Sequence, residues 1–327
     1  MTLSVIVPAY NAQNTIGLTL RAIAQQDYSG DFEVIVVDDG SKDQTADTVR
    51  SFANVRYVHQ SNAGPASARN QGARLAQGEF LVFTDSDCVP HKDWLSCLMQ
   101  GFVAEDVAVV MGSYGIANCE SLLARCIYKE IVFRHKNLLP DFPKVFGSYN
   151  FCVRKKIFEH VGGFSTEYRY ASGEDNDLSY KIIAAGYRIY FERQALVDHY
   201  HPTRILKYLK EQFRHGLWRV LLYASHPDMA QGDGYTFWKD LIELPWSFLC
   251  LLGMIVSPFG FVSFKAVMFF LIVPFLIFEI LFARAMIHNI WEEFFGGFIM
   301  FLRSFSRTFG LSTGILLYFA QKILNKS

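Results

Sequence analysis

FEVIVVDDGS, residues 32–41, is the stretch that decides the fold. Val34, Ile35, Val36 and Val37 are β-branched and consecutive, and the run stops abruptly at Asp38, Asp39, Gly40 and Ser41. A strand that is apolar throughout, rather than alternating with polar residues, belongs in a sheet covered on both faces. The chain around it repeats the pattern. Residues 3–7 form a short apolar run ended by Pro8, and residues 55–58 and 80–83 read as further strands. Helical segments alternate with them: residues 15–26 carry Ile16, Leu20 and Ile23 on one face, followed by residues 43–52 and 66–76. Strand and helix alternating in this way predict an α/β domain with a mostly parallel, Rossmann-like central sheet. Ligands of such sheets bind beyond the carboxyl ends of the strands.

Polar clusters stand at three of those ends: Pro8-Ala9-Tyr10-Asn11, Asp38-Asp39-Gly40-Ser41 and Asp85-Ser86-Asp87. Asp-Gly-Ser alone is ordinary turn material, but three such clusters on one rim point to a site. Neither G-x-G-x-x-G nor G-x-x-x-x-G-K-[ST] occurs, which sets aside the usual dinucleotide and P-loop fingerprints. Carboxylates at strand ends suit a hard divalent cation, which can neutralise a diphosphate leaving group. A second acidic cluster, Gly173-Glu174-Asp175-Asn176-Asp177, opens a helix about ninety residues further on. Acids at a helix start complement its dipole. Three within four residues exceed that need and offer a general base for an incoming hydroxyl.

The stretches V-I-V-P-A-Y-N (5–11), V-V-D-D-G-S-K-D (36–43), N-A-G-P-A-S-A-R-N-Q-G (62–72), F-T-D-S-D-C (83–88), V-G-G-F (161–164) and G-E-D-N-D-L (173–178) occur in that order. Over roughly residues 1–220 the chain resembles an inverting family-2 glycosyltransferase of the GT-A fold. That resemblance implies a nucleotide pocket lined by Pro8, Ala9, Tyr10 and Asp39, with Asp38 close by and Arg69 beside the nucleotide. It implies Asp87 as a ligand of Mg²⁺ or Mn²⁺, Asp85 towards the ribose and the metal, and His199 or His201 completing the metal shell. It makes Asp175 the catalytic base and sets Glu174 and Asp177 on the acceptor side. The implied reaction is a single displacement by an acceptor hydroxyl on a UDP- or GDP-sugar, with inversion at the anomeric carbon. Two departures stand out. Lys181 replaces the arginine that commonly follows G-E-D-x-D-L. Gln212-Phe213-Arg214-His215-Gly216 stands where processive members carry Q-x-x-R-W, so a single sugar addition is expected rather than polymerisation.

Composition separates the chain into two parts. It has 327 residues, 31 basic and 31 acidic, and 30 phenylalanines. Residues 1–240 hold 25 basic and 27 acidic residues; residues 241–327 hold only six and four, with 16 of the phenylalanines. The balanced charge argues against a nucleic-acid partner, and abundant aromatics exclude a disordered chain. Six cysteines without C-x-x-C spacing predict free thiols in a reducing compartment. The N-terminus has no basic, apolar signal pattern, so the catalytic part is expected on the cytosolic side.

These readings divide the chain into a catalytic domain (1–203), a basic amphipathic interface region (204–240) and a C-terminal α-helical membrane module (241–327). In the interface region Arg204, Lys207, Lys210, Arg214 and Arg219 accompany Leu206, Leu209, Phe213 and Leu217, a pattern that suits an anionic membrane surface or a packed helix with a solvated basic edge. Residues 241–263 and 266–283 approach the length of a bilayer span. Residues 294–320 are interrupted by Arg303 and Arg307, which predicts an interfacial or protein-packed helix rather than a third crossing. The expected protein is a multi-pass cell-membrane enzyme with a lipid-linked or glycan acceptor, acting in envelope polysaccharide or glycoconjugate synthesis. Two further readings are a polyprenyl-phosphate glycosyltransferase and a non-catalytic nucleotide-sugar-binding subunit.

Overall fold

The computed structural model describes residues 2–168, 172–227 and 238–324; residues 228–237 of the expected interface region lie outside them. The chain forms two units: one holds the residues up to Asn118 and Leu139–Tyr200, the other Cys119–Leu138 and the described helices from His201 onward.

The first unit is built on an eight-stranded sheet in the order β3-β2-β1-β4-β7-β6-β8-β5. β1 (Leu3–Ala9), β2 (Phe32–Asp38), β3 (Val55–His59) and β4 (Phe80–Thr84) pair in parallel, as the alternating pattern predicts. β5 (Cys88–Pro90), β6 (Val107–Ile116), β7 (Asn150–Arg154) and β8 (Arg188–His199) extend it; β4–β7, β7–β6 and β8–β5 are antiparallel, and β6–β8 is parallel. The sheet is therefore mixed, with its parallel half first in the chain.

Burial on both faces explains why the strands read as continuous apolar runs. Val5 and Val7, Val34 and Val36, and Val82 enter one core layer. Ile6, Ile35 and Val37, Leu81 and Phe83 enter the other. α1 (Ile16–Ala24) buries Ile16, Leu20 and Ile23, the face read from its spacing. α3 (Pro65–Leu75) lies close against β1, where a Cβ on Gly72 would stand 2.4 Å from Ile6 Cγ2. α2 (Thr45–Arg50), α4 (Trp94–Gln100), α6 (Lys155–His160) and α7 (Glu174–Ala184) are this unit's other α-helices among the described residues.

Asn150, fully buried at the start of β7, ties the later strands together. Its Nδ2 donates to the carbonyls of Ser113 (3.0 Å) and Ala195 (2.8 Å), and its Oδ1 accepts from Trp94 Nε1 at 2.7 Å. One side chain thus links β6, β7, β8 and α4.

In the second unit, α5 (Leu122–Asn137) joins α8 (Ile205–Ser225), α9 (Trp238–Val256), the short α10 (Phe264–Val267), α11 (Val273–Arg284) and the 35-residue α12 (Ile290–Leu324). α5 falls within the span 1–203 read as catalytic domain, yet it packs with the later helices. α8 buries Tyr208, Gln212, Gly216 and Leu222, and Leu209 packs beside them, while Leu206 is 83% exposed and lies outside the packed face. Backbones approach closely there: a Cβ on Gly216 would lie 2.1 Å from the Arg307 carbonyl oxygen of α12, and one on Gly310 would lie 2.0 Å from that of Phe213.

Two continuous helical runs, Trp238–Phe259 (22 residues, mean hydropathy 1.7) and Phe264–Arg284 (21 residues, 2.6), are long and apolar enough to cross a bilayer. Only 17% and 22% of their most apolar windows are buried, unlike the core helices of a soluble domain. Charges instead face inward. Arg303 of α12, 2% exposed, pairs with Glu130 of α5 and with Glu243 of α9 (3.4 Å). Arg134 of α5 forks onto Asp240 at 2.7 and 2.8 Å. Lys239 pairs with Glu243 and, at 2.7 Å, with Glu279 of α11. Arg307 donates to Gln212 Oε1 of α8 at 2.8 Å.

Replacing Asn150 by Ala leaves the Trp94 N–H and two buried carbonyls without these partners. Chemical denaturation should register a loss of roughly 2–5 kcal/mol in the first unit. A change below ~1 kcal/mol would remove the hub role.

Candidate active site

The carboxyl ends of β1 and β2 are stitched together before any ligand is considered. Asn11 turns the chain with φ 50° and donates its backbone N–H to Ser41 Oγ at 2.9 Å, while its Oδ1 accepts from Lys42 N at 2.9 Å. Ala12 N donates to the buried Thr45 Oγ1 at 2.7 Å. This holds Pro8 and Ala9 at the buried end of β1 and leaves Tyr10 half exposed on the rim.

Asp38 and Asp39 are both buried and both engaged. Asp38 accepts from Ser41 N (2.9 Å) and Tyr57 Oη (2.7 Å). Asp39 accepts from Ala63 N (2.8 Å), Gly64 N (2.9 Å), Gln60 Nε2 (2.7 Å) and Asn62 Nδ2 (3.1 Å). Asp39 therefore shapes the 60–64 loop that leads into α3.

α3 carries Arg69 into the interior. Its Nη2 donates to Asp85 Oδ1 at 2.7 Å and its Nη1 to Glu174 Oε1 at 3.0 Å. The guanidinium carbon lies 5.5 Å from the Phe164 ring centre. Burial opposes the Arg69 charge, but Asp85 and Glu174 hold its pKa above the ordinary value. Glu174 completes its shell by accepting Ser172 N at 2.7 Å. Burial, then the neighbouring Asp175 charge, push the Glu174 carboxyl up to about 7 against the pull of Arg69.

Asp175 follows on the first turn of α7, which Gly173 starts at φ +100°. Unlike Glu174 it is only half-buried. Asn176 N donates to Asp175 Oδ1 at 2.9 Å, and the backbone of Ser148 donates to the same carboxylate. Burial outweighs these bonds and raises its pKa, which makes the ionised form a stronger base. Asp177 turns the other way and pairs with Lys181 at 2.6 Å, so the lysine that departs from the family pattern serves the helix itself.

Sheet register builds the other corner. β5 runs antiparallel to β8 with Cys88 opposite His199, which brings Asp87 Oδ1 within 3.4 Å of His199 Nε2. Ligand atoms of Asp87, Cys88 and His199 lie within 4.8 Å of one another. Burial, with Asp87 and Asp85 beside it, holds the Cys88 thiol well above its ordinary pKa. The effective donor set is thus a carboxylate oxygen and an imidazole nitrogen. Few protein ligands and many open positions fit a cation that shares its shell with phosphate oxygens. His201 belongs to the second unit, where its ring lies 6.3 Å from that of Tyr128.

Sequence reading passed over an aromatic pair beside this corner. Tyr114 stacks on Tyr149 with ring centres 3.5 Å apart, and Tyr114 lies 5.2 Å from the His199 ring. Tyr149 directly follows Ser148, the residue bonded to Asp175. A G-S-Y-N run (147–150) ahead of an apolar strand was its only signal.

Residues 4–162 match the sequence profile described as Glycosyl transferase family 2. Glycosyltransferase AglE of Haloferax volcanii is 30% identical over 229 residues, which cover 67% of this chain and 73% of that protein. The pre-mycofactocin glycosyltransferase of Mycobacterium tuberculosis is 32% identical over 207 residues, covering 60% of this chain but 43% of that one. The chain therefore spans less than half the length of this second relative. Among solved structures, a mannosyltransferase from Pyrobaculum calidifontis in complex with GDP-Man and Mn²⁺ superposes with a TM-score of 0.62 at 21% identity, covering 94% of this chain and 86% of that one. At that identity the likeness establishes a shared fold.

Calorimetric titration with Mn²⁺ in the presence of UDP or GDP should show affinity reduced by at least about 10–100-fold in Asp87→Ala. Cys88→Ala should stay within about 3-fold of the parent, as expected for a hard cation held by oxygen and nitrogen. Equal losses in both would place the thiol in the ligand set.

Proposed function

Because the chain belongs to glycosyltransferase family 2, we propose that it transfers a single sugar from a UDP- or GDP-sugar to a hydroxyl of a lipid-linked glycan. The setting would be the cytosolic face of a cell membrane, in envelope polysaccharide or glycoconjugate synthesis. The observation that carries this reading is the convergence of Asp85 and the first turn of α7 on one guanidinium, that of Arg69. It joins the carboxylates suited to a donor diphosphate to the helix start that presents Asp175.

In this reading Tyr10 offers its exposed ring to the nucleotide base, and Pro8 and Ala9 form the floor beneath it. Asp38 and Asp39 act on the nucleotide through the loops they hold. Asp85 faces the ribose. Asp87 and His199 would hold Mg²⁺ or Mn²⁺, which when bound supplies charge neutralisation for the departing diphosphate. The GDP-Man and Mn²⁺ of the mannosyltransferase neighbour support a nucleotide-sugar donor and a divalent cation. Asp175 takes the proton of the acceptor hydroxyl as its oxygen bonds to the anomeric carbon and the bond to the diphosphate breaks. One displacement of this kind inverts the anomeric centre. Asp177, paired with Lys181, keeps α7 in place on the acceptor side.

The second unit supports membrane attachment. Its two long apolar runs expose Phe248, Leu252, Ile255, Phe269, Phe270 and Leu281, while the charged side chains Lys239, Glu243 and Glu279 are buried and paired internally. Such an inside-out distribution suits lipid as solvent. A chain held in a bilayer meets lipid-linked acceptors at high local concentration.

Two measurements test the proposal. With a panel of UDP- and GDP-sugars, Mn²⁺ and membrane extract as acceptor, Asp175→Asn should release nucleoside diphosphate about 10²–10⁴-fold more slowly than the parent, with UDP or GDP binding unchanged. Full retained turnover would point to an acceptor that needs no base, such as a polyprenyl phosphate. Alkaline carbonate washing of membranes from expressing cells should leave the chain in the pellet; its release into the supernatant would rule out spanning helices.

A further inference from the structure

Arg69 is positioned unlike a substrate ligand. It is 2% exposed, and its two terminal nitrogens are committed to Asp85 and Glu174. Glu174 is 1% exposed, with one oxygen on Arg69 and the other on Ser172 N. Neither side chain offers a free face to a nucleotide or an acceptor sugar.

The elements that carry them are braced as well. α3 lies against β1 at Gly72 with no room for a Cβ. One residue beyond Arg69, Asn70 clasps the backbone of Phe164 in both directions: Nδ2 donates to its carbonyl at 2.8 Å, and Oδ1 accepts its N–H at 3.0 Å. The Phe164 ring in turn lies against the guanidinium. α3 is thus a fixed frame, and Arg69 reaches from it to both sides of the site.

We propose that Arg69 and Glu174 are positioning residues, a buried strut that sets Asp85 on the donor side and Asp175 on the acceptor side at a fixed separation without touching either substrate. The inference rests on the glycosyltransferase reading and deepens it. A displacement at one carbon needs attacking oxygen and leaving group in line, and misplacement by about 1 Å can cost about 100-fold in rate. Asp85 and Asp175 lie on elements ninety residues apart in sequence. A guanidinium meets two separated carboxylates at once with a planar fork; an ammonium on a flexible stem cannot hold the same geometry. Glu174 then serves as the far end of the strut and anchors the Ser172 N–H, which fixes where α7 begins.

The test uses the full chain and three variants: Glu174→Gln, Arg69→Lys and the double substitution. All are close to isosteric or charge-conserving. UDP and GDP binding with Mn²⁺, turnover against increasing membrane extract, and amide hydrogen exchange are measured on each. The strut predicts that Glu174→Gln binds UDP or GDP within about 3-fold of the parent and half-saturates at the same amount of extract. Its turnover should fall about 100-fold, with faster exchange at amides 172–178. The double variant should be no slower than Arg69→Lys alone, because both break one strut. A raised half-saturating amount of extract at full turnover would make Glu174 an acceptor ligand and overturn the proposal. So would multiplicative losses in the double variant, or unchanged exchange at 172–178. If the parent releases no nucleoside diphosphate from any donor, the glycosyltransferase reading fails on its own, and the exchange measurement still decides whether the strut exists.

Discussion

Seven carboxylates crowd the ligand-binding rim of the sheet, and the cost of burying them governs how the site is organised. Unpaired, a buried carboxylate is strongly unfavourable. Each meets a partner within the fold: Asp38 bonds Ser41 and Tyr57, Asp39 holds the 60–64 loop, Asp85 and Glu174 share Arg69, and Asp177 pairs with Lys181. Asp87 and Asp175 keep partial exposure, facing His199 and the Ser148 backbone respectively. The same residue type is thereby sorted into structural and chemical roles by the neighbours each member meets.

That sorting is what the sequence could not convey. The parallel half of the sheet was legible, since Val5, Ile6 and Val7 or Val34 to Val37 have no polar face and must lie between two layers. The rim was legible too, because turn-forming acids gathered at successive strand ends. The partners were not. Glu174 meets a guanidinium 105 positions away, and nothing local marks Arg69 as its counter-charge. The antiparallel half was equally obscure. β5 is three residues long, yet its register against β8 is what brings Asp87 to His199.

The helical unit shows a similar limit. Arg303 in an apolar run reads as an anomaly when the run is taken alone. Its explanation is Glu130, 173 positions earlier on a helix that sequence order assigns to the catalytic domain. α5 buries Leu123, Cys126, Glu130 and Arg134, and the last two meet their counter-charges on α12 and α9. Leu206 of α8 misleads for a related reason. Helix contacts as close as those at Gly216 and Gly310 favour the smallest side chains, so the packed face follows Tyr208, Gln212 and Gly216 and leaves Leu206 outside.

The two units place their charged groups differently. In the first, apolar strands fill the interior and acids collect at an open rim, where each that is not working must be neutralised. In the second, paired charges lie inside beside Phe275 and Phe301, while phenylalanines such as Phe248, Phe269 and Phe270 lie on the exterior. A buried ion pair is costly to break, so each pair resists rearrangement of the helices that carry it. Arg303, Arg134 and Lys239 join α5, α9, α11 and α12 by four acids, beside apolar clusters such as that of Cys250, Phe275 and Phe301. Net neutrality across the whole chain is the sum of two opposed excesses: the first unit's segments hold 15 basic and 22 acidic residues, and the second unit's hold 16 and 9.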